Sequence, residues 1–228
     1  INNIMFQNIC WQFSGDNVLS QEKVDHIMAK GLAAQEQVAT HQLGNLERSE
    51  DDEIRASRIA WLNDESVYDC IWPFVNSANE QAGWRLDIRE CEMIQFTKYG
   101  KEQHYHWHID GQCDHHASKV FARHKDYEKK GQVMPITETS NLRHIGLCRK
   151  ISVTINLSDP LDYDGGDLWL TKHPQDSRIN ELETFTNPSF RDKGAVVVFP
   201  SWVRHRVTPV TRGTRYSAVC WFNGPPLR

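Results

Sequence analysis

Apolar positions in the first part of the chain follow helical spacing after a short extended stretch. Residues 3–13 are rich in β-formers and predict a strand. Ser20 is a suitable N-cap for a helix that we expect to end near Gly44. The apolar side of this helix is formed by Val24, Ile27, Met28 and Leu32.

A second helix is predicted within residues 64–83. Pro73 lies inside this stretch, so we expect a kink there or a late start of the helix. The charged residues 45–56 between the two helices are expected to form a surface loop. One side of the second helix carries Val67, Ile71, Phe74, Val75 and Ala78.

From residue 84 onward the spacing of apolar positions changes from near four to two. In residues 151–157, ISVTINL, the apolar side chains share one face of a strand, and Ser152, Thr154 and Asn156 share the other. Further strands are predicted at residues 90–99, 194–200 and 215–222, and residues 162–170 are predicted to be a turn that leads into a strand. Helices followed by many short strands indicate an α+β domain with a sandwich or jelly-roll core, whose N-terminal helices pack on one sheet.

The length of 228 residues fits a single domain, 1–228. Residues 1–85 are expected to be mainly helical support, and residues 86–228 to form the jelly-roll core. Residues 111–147 lack a clear pattern between two strands, which predicts a lid or a flexible insert.

Composition narrows the function classes. The net charge is −4 and no long block of Lys or Arg occurs, so no nucleic-acid partner is expected. No membrane association is expected either, because no stretch resembles a transmembrane span or a signal peptide. The six cysteines lack a C-x-x-C spacing, which favours free thiols and an intracellular, cytoplasmic protein. The oligomeric state is not indicated.

The segment HYHWHIDG, residues 104–111, is the first candidate for metal chemistry. In a strand its three histidines and Asp110 all project to one side. Metal ligands must converge within about 2.0–2.2 Å of the ion, so at most two neighbours can share one metal. The possible pairs are His104 with His106, His106 with His108, and His108 with Asp110. A carboxylate and two imidazoles are typical of non-haem Fe(II) oxygenases, which favours the last pair.

The end of the chain supplies the groups that would complete such a site. Within residues 199–222, His205 follows an apolar strand, and Arg215 and Ser217 lie on one face of the next strand. A guanidinium binds both oxygens of a carboxylate, and a nearby hydroxyl can add another donor. The combination predicts a metal site close to a site for a ligand carboxylate.

These segments resemble the Fe(II)- and 2-oxoglutarate-dependent dioxygenases, and within them the prolyl 4-hydroxylase-like branch. The resemblance extends over residues 91–223 and rests on QFTKYGKEQHYHWHIDG, RKISVTINLSDPLDYDGGDLWL and GAVVVFPSWVRHRVTPVTRGTRYSAVCWF. It implies a double-stranded β-helix, with Fe(II) and 2-oxoglutarate as cofactors, O2 as co-substrate and ascorbate as a reductant.

Carried over by position, the resemblance implies roles for ten residues. The iron ligands are His108, Asp110 and His205. The 2-oxoglutarate contacts are Arg215, Tyr99, Ser217 and Asn156, with Arg215 where many prolyl hydroxylases have lysine and Asn156 where relatives often have tyrosine. The substrate contacts are Tyr105, Arg149 and Trp221.

The implied activity is hydroxylation of a prolyl residue in a peptide or protein, of the procollagen-proline type, with release of succinate and carbon dioxide. One alternative is the same chemistry on another residue or a small molecule. Another is a cupin-like jelly roll that binds a metal or ligand without turnover. A third is a zinc site formed by His106, His108 and His205.

Overall fold

The computed structural model describes residues 2–6, 9–15, 18–39, 41–42, 48–49, 54–111, 147–172 and 183–226. The predicted lid at 111–147 lies outside the described residues, except for Gly111 and Leu147 at its ends. The division of the chain at residue 85 stays a prediction. The residues before it form two helices and also contribute strands to the largest sheet.

Two α-helices and eighteen strands are present in the described residues. The helices are α1 (Gln21–Ala33) and α2 (Glu65–Gln81). The strands up to the candidate metal segment are β1 (Asn2–Phe6), β2 (Cys10–Ser14), β3 (Gln37–Val38), β4 (His41–Gln42), β5 (Arg48–Ser49), β6 (Arg55–Ala56), β7 (Arg58–Leu62), β8 (Glu90–Cys91), β9 (Ile94–Tyr99) and β10 (His104–His108). The later strands are β11 (Cys148–Asn156), β12 (Tyr163–Gly165), β13 (Leu168–Thr171), β14 (Thr184–Phe185), β15 (Val196–Pro200), β16 (His205–Val207), β17 (Val210–Gly213) and β18 (Arg215–Gly224).

Two antiparallel sheets form the core of the part of the chain that is described. The larger sheet has nine strands in the order β1-β2-β15-β11-β18-β9-β7-β3, with β8 paired to the end of β18. The smaller sheet has the order β14-β13-β16-β10-β6. In the later part of the chain, β9, β11, β15 and β18 belong to the larger sheet, and β10, β13 and β16, which lie between them in sequence, belong to the smaller one. The chain therefore passes repeatedly between the two sheets, which is the arrangement of a double-stranded β-helix. The predicted fold class is confirmed.

The apolar face of the larger sheet packs against both helices. Ile151, Val153, Ile155 and Leu157 of the β11 segment are buried in one cluster with Val24 and Ile27 of α1 and with Val67, Ile71 and Val75 of α2. The opposite face of β11 therefore points between the two sheets, as expected from the alternation of its residues. A second apolar cluster, which includes Leu170 and Phe199, fills one end of that interior.

The N-terminal segment differs from the prediction of a single strand. Residues 3–13 are divided between β1 and β2, which pair antiparallel with Met5 opposite Trp11. The sequence between these two strands contains neither Gly nor Pro, so the usual signal of a hairpin is missing. The charged residues 45–56 were predicted as a surface loop, but Arg55 lies in β6 and is only 5% exposed.

The first helix begins as predicted but ends earlier. Ser20 caps α1 by accepting a hydrogen bond from the backbone nitrogen of Lys23. The helix ends at Ala33 rather than near Gly44, because Ala34 is extended and the chain then enters the edge strand β3. Leu32, predicted on the buried face, is 60% exposed at this early end.

The second helix, Glu65–Gln81, lies within the predicted stretch 64–83. Its start at Glu65 excludes a late start, which was one of the two consequences expected of Pro73. Asp64 caps it by accepting from the backbone nitrogen of Ser66, and Pro73 lies in the helix interior. An interior proline costs about 3 kcal/mol. Three side chains of α2, Val67, Ile71 and Val75, are fully buried, each contributing about 1.5–3 kcal/mol, which outweighs that cost.

Neither described helix is long and apolar enough to cross a membrane. The five cysteines within the described residues form no disulfide: Cys10, Cys70, Cys91, Cys148 and Cys220.

Candidate active site

Two neighbouring strands of the smaller sheet bring together two imidazoles and a carboxylate. His108 ends β10 and lies opposite His205, the first residue of β16, while Asp110 follows β10 by two residues. The distance from His108 Nε2 to Asp110 Oδ1 is 3.6 Å, and that from His205 Nε2 to Asp110 Oδ2 is 3.5 Å. The ligand atoms of all three residues lie within 4.8 Å of one another. Among the described residues this is the one cluster of this kind, and His104 and His106 are not part of it.

The hydrogen bonds of the two histidines identify the nitrogen that is available to a metal. His108 Nδ1 lies 2.7 Å from the carbonyl oxygen of His106, and His205 Nδ1 lies 2.9 Å from that of Val203. A carbonyl oxygen only accepts, so Nδ1 carries the proton in both rings. Each Nε2 then keeps its lone pair and faces Asp110, as in metal-binding histidines held by a backbone acceptor.

The charge states also suit a divalent metal. Burial by itself would raise the pKa of Asp110, but the adjacent His205 and His108 hold it below its ordinary value, so the carboxyl is ionised. Burial, with the neighbouring His108, lowers the pKa of His205 to about 4, so its ring is neutral at neutral pH. An ionised carboxylate and neutral imidazole are the forms that bind metal ions. Two nitrogen donors and one carboxylate match the donor set of non-haem Fe(II) sites.

A buried guanidinium lies further along the same interior face. Arg215 is 4% exposed and lies opposite Tyr99 across β18 and β9, with the guanidinium carbon 5.7 Å from the Tyr99 ring centre. Arg215 Nη1 donates to Ser217 Oγ at 3.3 Å. No carboxylate of the described residues pairs with Arg215. A buried charge without a counter-ion is costly, so a ligand carboxylate fits beside it.

Two of the three polar side chains predicted on the interior face of β11, Ser152 and Asn156, have different partners. Ser152 Oγ donates to Asp110 Oδ2 at 2.7 Å and so contacts the metal cluster. Asn156 instead donates from Nδ2 to the carbonyl oxygens of Ser158 and Arg191, and its Oδ1 accepts from the hydroxyl of Tyr163. Both amide protons of Asn156 are therefore used within the protein.

Of the three residues predicted to contact substrate, Tyr105 and Arg149 contact the metal cluster, and Trp221 contacts Arg149. The Tyr105 ring stacks on His108 at 3.5 Å. Arg149 forms two 2.7 Å hydrogen bonds to Glu92 and lies over the Trp221 ring at 3.9 Å. Arg149 Nη1 also lies 3.4 Å from the Asp110 carbonyl oxygen, whereas Trp221 is buried beneath the guanidinium.

Three residues of this region were not identified from the sequence. Glu92 holds Arg149, Ser201 contacts the Asp110 segment, and Arg55 lies over the Tyr105 ring at 4.4 Å. Glu92 lies in a segment whose alternation predicted only a strand, and Ser201 directly follows the continuously apolar strand β15. Their positions depend on which strands pair, which the local pattern does not specify.

The fold and the cluster define a jelly-roll protein with a site of two histidines and one carboxylate for a divalent metal. The sequence profile of the 2OG-Fe(II) oxygenase superfamily matches residues 94–223, which contain all three cluster residues. The chain belongs to this superfamily, whose members use Fe(II) and 2-oxoglutarate.

Individual relatives agree with this family. A PKHD-type hydroxylase of Synechococcus sp. (strain JA-2-3B'a(2-13)) is 42% identical over 79 residues, which is 35% of this chain and 31% of that protein. The matched region thus spans about a third of that curated relative. The viral collagen prolyl hydroxylase of Paramecium Bursaria Chlorella virus-1 superposes with a TM-score of 0.55 at 17% identity, over 93% of this chain and 96% of the viral chain. A prolyl hydroxylase of Trichoplax adhaerens, solved with a hypoxia inducible factor peptide, superposes with a TM-score of 0.52 at 18% identity. The superposition covers 94% of this chain and 83% of the Trichoplax chain. The fold is that of prolyl hydroxylases.

Proposed function

We propose that this chain is a 2-oxoglutarate-dependent hydroxylase of a prolyl residue in a peptide or protein. The observation that carries the proposal is the cluster of His108, Asp110 and His205 on the same interior as the buried Arg215, which has no acidic partner in the described residues. One end of this interior offers ligands for a metal, and the other offers a cation for a diacid.

In this proposal His108, Asp110 and His205 hold Fe(II). Their protonation states support the assignment, because neither imidazole needs to lose a proton from Nε2 and Asp110 is already ionised. Bound Fe(II), together with 2-oxoglutarate and O2, supplies the oxidation that hydroxylates a C–H bond and releases succinate and carbon dioxide.

Arg215, Tyr99 and Ser217 hold the distal carboxylate of 2-oxoglutarate. Burial raises the pKa of Tyr99, so its hydroxyl stays protonated and can donate. Ser152 touches the metal cluster, and Asn156 lies opposite Ser217 across β11 and β18. Ser152 and Asn156 are separated by roughly 13 Å along the strand, a span that a metal ion and a five-carbon diacid together would fill. We assign Asn156 to the wall of this pocket, because its amide protons already have protein acceptors.

A prolyl side chain would approach from the side of the metal cluster where Tyr105 and Arg149 lie. The guanidinium of Arg149 is held by Glu92 and by the Trp221 ring, so its position beside the metal cluster is constant. Extended proline-containing peptides bind to aromatic surfaces with few polar contacts, which supports this class of substrate. Two proteins of similar fold, from the Chlorella virus and from Trichoplax, are prolyl hydroxylases.

The proposal is tested by incubating the protein with Fe(II), 2-oxoglutarate, air and a panel of proline-containing peptides. We expect one oxygen atom to appear on proline by mass spectrometry, with an equal amount of succinate. Peptides in which alanine replaces proline, and the Asp110→Ala protein, serve as controls. Succinate formation that no proline peptide stimulates would reject the prolyl substrate, and metal binding without succinate would indicate a jelly roll that does not turn over.

A further inference from the structure

The Asp110 carboxylate is attached to a pair of buried serines on the larger sheet. Ser152 Oγ donates to Asp110 Oδ2 at 2.7 Å, and Ser152 Oγ lies 3.0 Å from Ser201 Oγ. Both serines are completely buried. They come from different strands, since Ser152 is in β11 and Ser201 directly follows β15. The metal cluster of the smaller sheet is thus connected to the larger sheet through hydroxyl groups.

The direction of the hydrogen bonds in this pair is fixed. An ionised carboxylate only accepts, and a serine hydroxyl has one proton. The proton of Ser152 is therefore used toward Asp110, and Ser201 must donate to Ser152. The order of donation is Ser201 to Ser152 to Asp110, and each hydrogen bond polarises the next.

Ser201 also holds the backbone of the same segment. Its carbonyl oxygen accepts from the backbone nitrogens of Asp110 at 3.0 Å and Gly111 at 3.1 Å, while its own nitrogen donates to the carbonyl of Lys150 at 2.9 Å. The backbone around Asp110 is fixed by these bonds independently of any side chain. What they leave undetermined is the rotation of the carboxylate.

The terminal torsion of an aspartate is broad, so packing alone defines the carboxylate plane poorly. Oδ1 lies near His108 and Oδ2 near His205, at almost equal distances. A donor on Oδ2 selects one rotation and decides which oxygen is presented between the two imidazoles. Ser152 is the hydroxyl that makes this contact.

We propose that Ser152, with Ser201 behind it, is a positioning residue that sets the rotation of the Asp110 carboxylate for metal binding. This inference rests on the proposed function, in which Asp110 is a metal ligand. Ser152 does not touch the metal or the substrate and acts only through Asp110.

The test is the affinity of the full chain for Co(II) alone, followed by the visible absorption of the bound ion, which reports ligand geometry. Ser152→Ala is expected to weaken Co(II) binding about 10–100-fold, the usual effect of removing a partner of a metal ligand. Ser201→Ala keeps Ser152, the direct donor to Asp110. It is expected to weaken Co(II) binding about 2–10-fold, the equivalent of one neutral hydrogen bond. Ser158→Ala is the matched control. Ser158 is also buried, and its hydroxyl accepts a hydrogen bond from the Tyr216 nitrogen that the substitution removes, but Ser158 does not contact Asp110.

Weaker Co(II) binding and an altered spectrum in Ser152→Ala, with Ser158→Ala like the wild type, would support the proposal. Unchanged affinity in Ser152→Ala, or an equal loss in Ser158→Ala, would overturn it. If Ser152→Ala does not fold, Ser201→Ala decides: a loss of affinity supports the relay and an unchanged affinity refutes it. If the wild type does not bind Co(II), or Asp110→Ala binds it equally well, the proposed metal site itself is wrong.

Discussion

The ring of Tyr105 lies flat on the imidazole of His108, with 3.5 Å between ring centres and 14° between their planes. Arg55 covers the other face of Tyr105, its guanidinium carbon 4.4 Å from the ring centre. The tyrosine is thus held between a cation and a metal-site histidine, and it fixes the plane of that histidine.

Tyr105→Ala should therefore weaken metal binding by loosening His108. Aromatic stacking contributes about 0.5–1.5 kcal/mol, which corresponds to a loss of about 2–12-fold in Co(II) affinity. Tyr105→Phe keeps the stack and should bind Co(II) like the wild type. A titration in which Phe weakens binding as much as Ala would show that the hydroxyl matters rather than the ring.

Asp110→Ala should abolish tight binding of Fe(II) or Co(II), while His106→Ala should leave it unchanged. His106 is exposed, and only its carbonyl oxygen serves the site, by accepting from His108 Nδ1. Equilibrium dialysis with each metal distinguishes the two variants. Retained binding in Asp110→Ala together with loss in His106→Ala would favour the three-histidine zinc site instead.

Arg215→Met should reduce the affinity for 2-oxoglutarate and leave the affinity for the metal unchanged. A hydrogen bond to a charged group contributes about 1.5–3 kcal/mol, so the dissociation constant should rise about 10–150-fold. Calorimetric titration of 2-oxoglutarate into the Co(II)-loaded protein measures this change. Arg215→Lys keeps the charge, so its 2-oxoglutarate affinity should lie between those of the wild type and Arg215→Met. Equal affinity in Arg215→Met and the wild type would show that the diacid binds elsewhere.

Asp64 should make the stability of the helical layer depend on pH. Hydrogen bonds from Ser66, together with His26 and Lys30, hold the pKa of Asp64 below its ordinary value despite partial burial. Because the folded-state pKa is lowered, this stabilisation is present above the unfolded pKa of about 3.9 and is lost as the pH falls through the folded value.

Asp64→Asn keeps an acceptor at the N-cap but removes the charge. At pH 7 the free energy of unfolding of the wild type should be about 1 kcal/mol higher than that of Asp64→Asn. This difference should be smaller at pH 3. Urea unfolding at both pH values measures this. A difference that grows on acidification would contradict the depressed pKa.

Several parts of this protein follow from local sequence. The alternation of Ile151, Val153, Ile155 and Leu157 with polar residues determined both faces of β11, because successive side chains of a strand point to opposite sides. Ser20 marked the start of α1 for an equally local reason, since its side chain caps a backbone nitrogen three residues away. The H-x-D spacing similarly predicted that His108 and Asp110 could share a metal.

Other parts were decided only by the tertiary structure. The end of α1 at Ala33 and the division of residues 3–13 into two strands depend on pairing with β7 and within the hairpin. The positions of Ser201 beside Asp110, Glu92 beside Arg149 and Arg55 over Tyr105 depend on strands that are distant in sequence and adjacent in space. Sequence patterns report on neighbours within a few residues, which share one backbone geometry. Contacts between strands are fixed by the packing of the whole sheet, and that packing places the supports of the metal cluster.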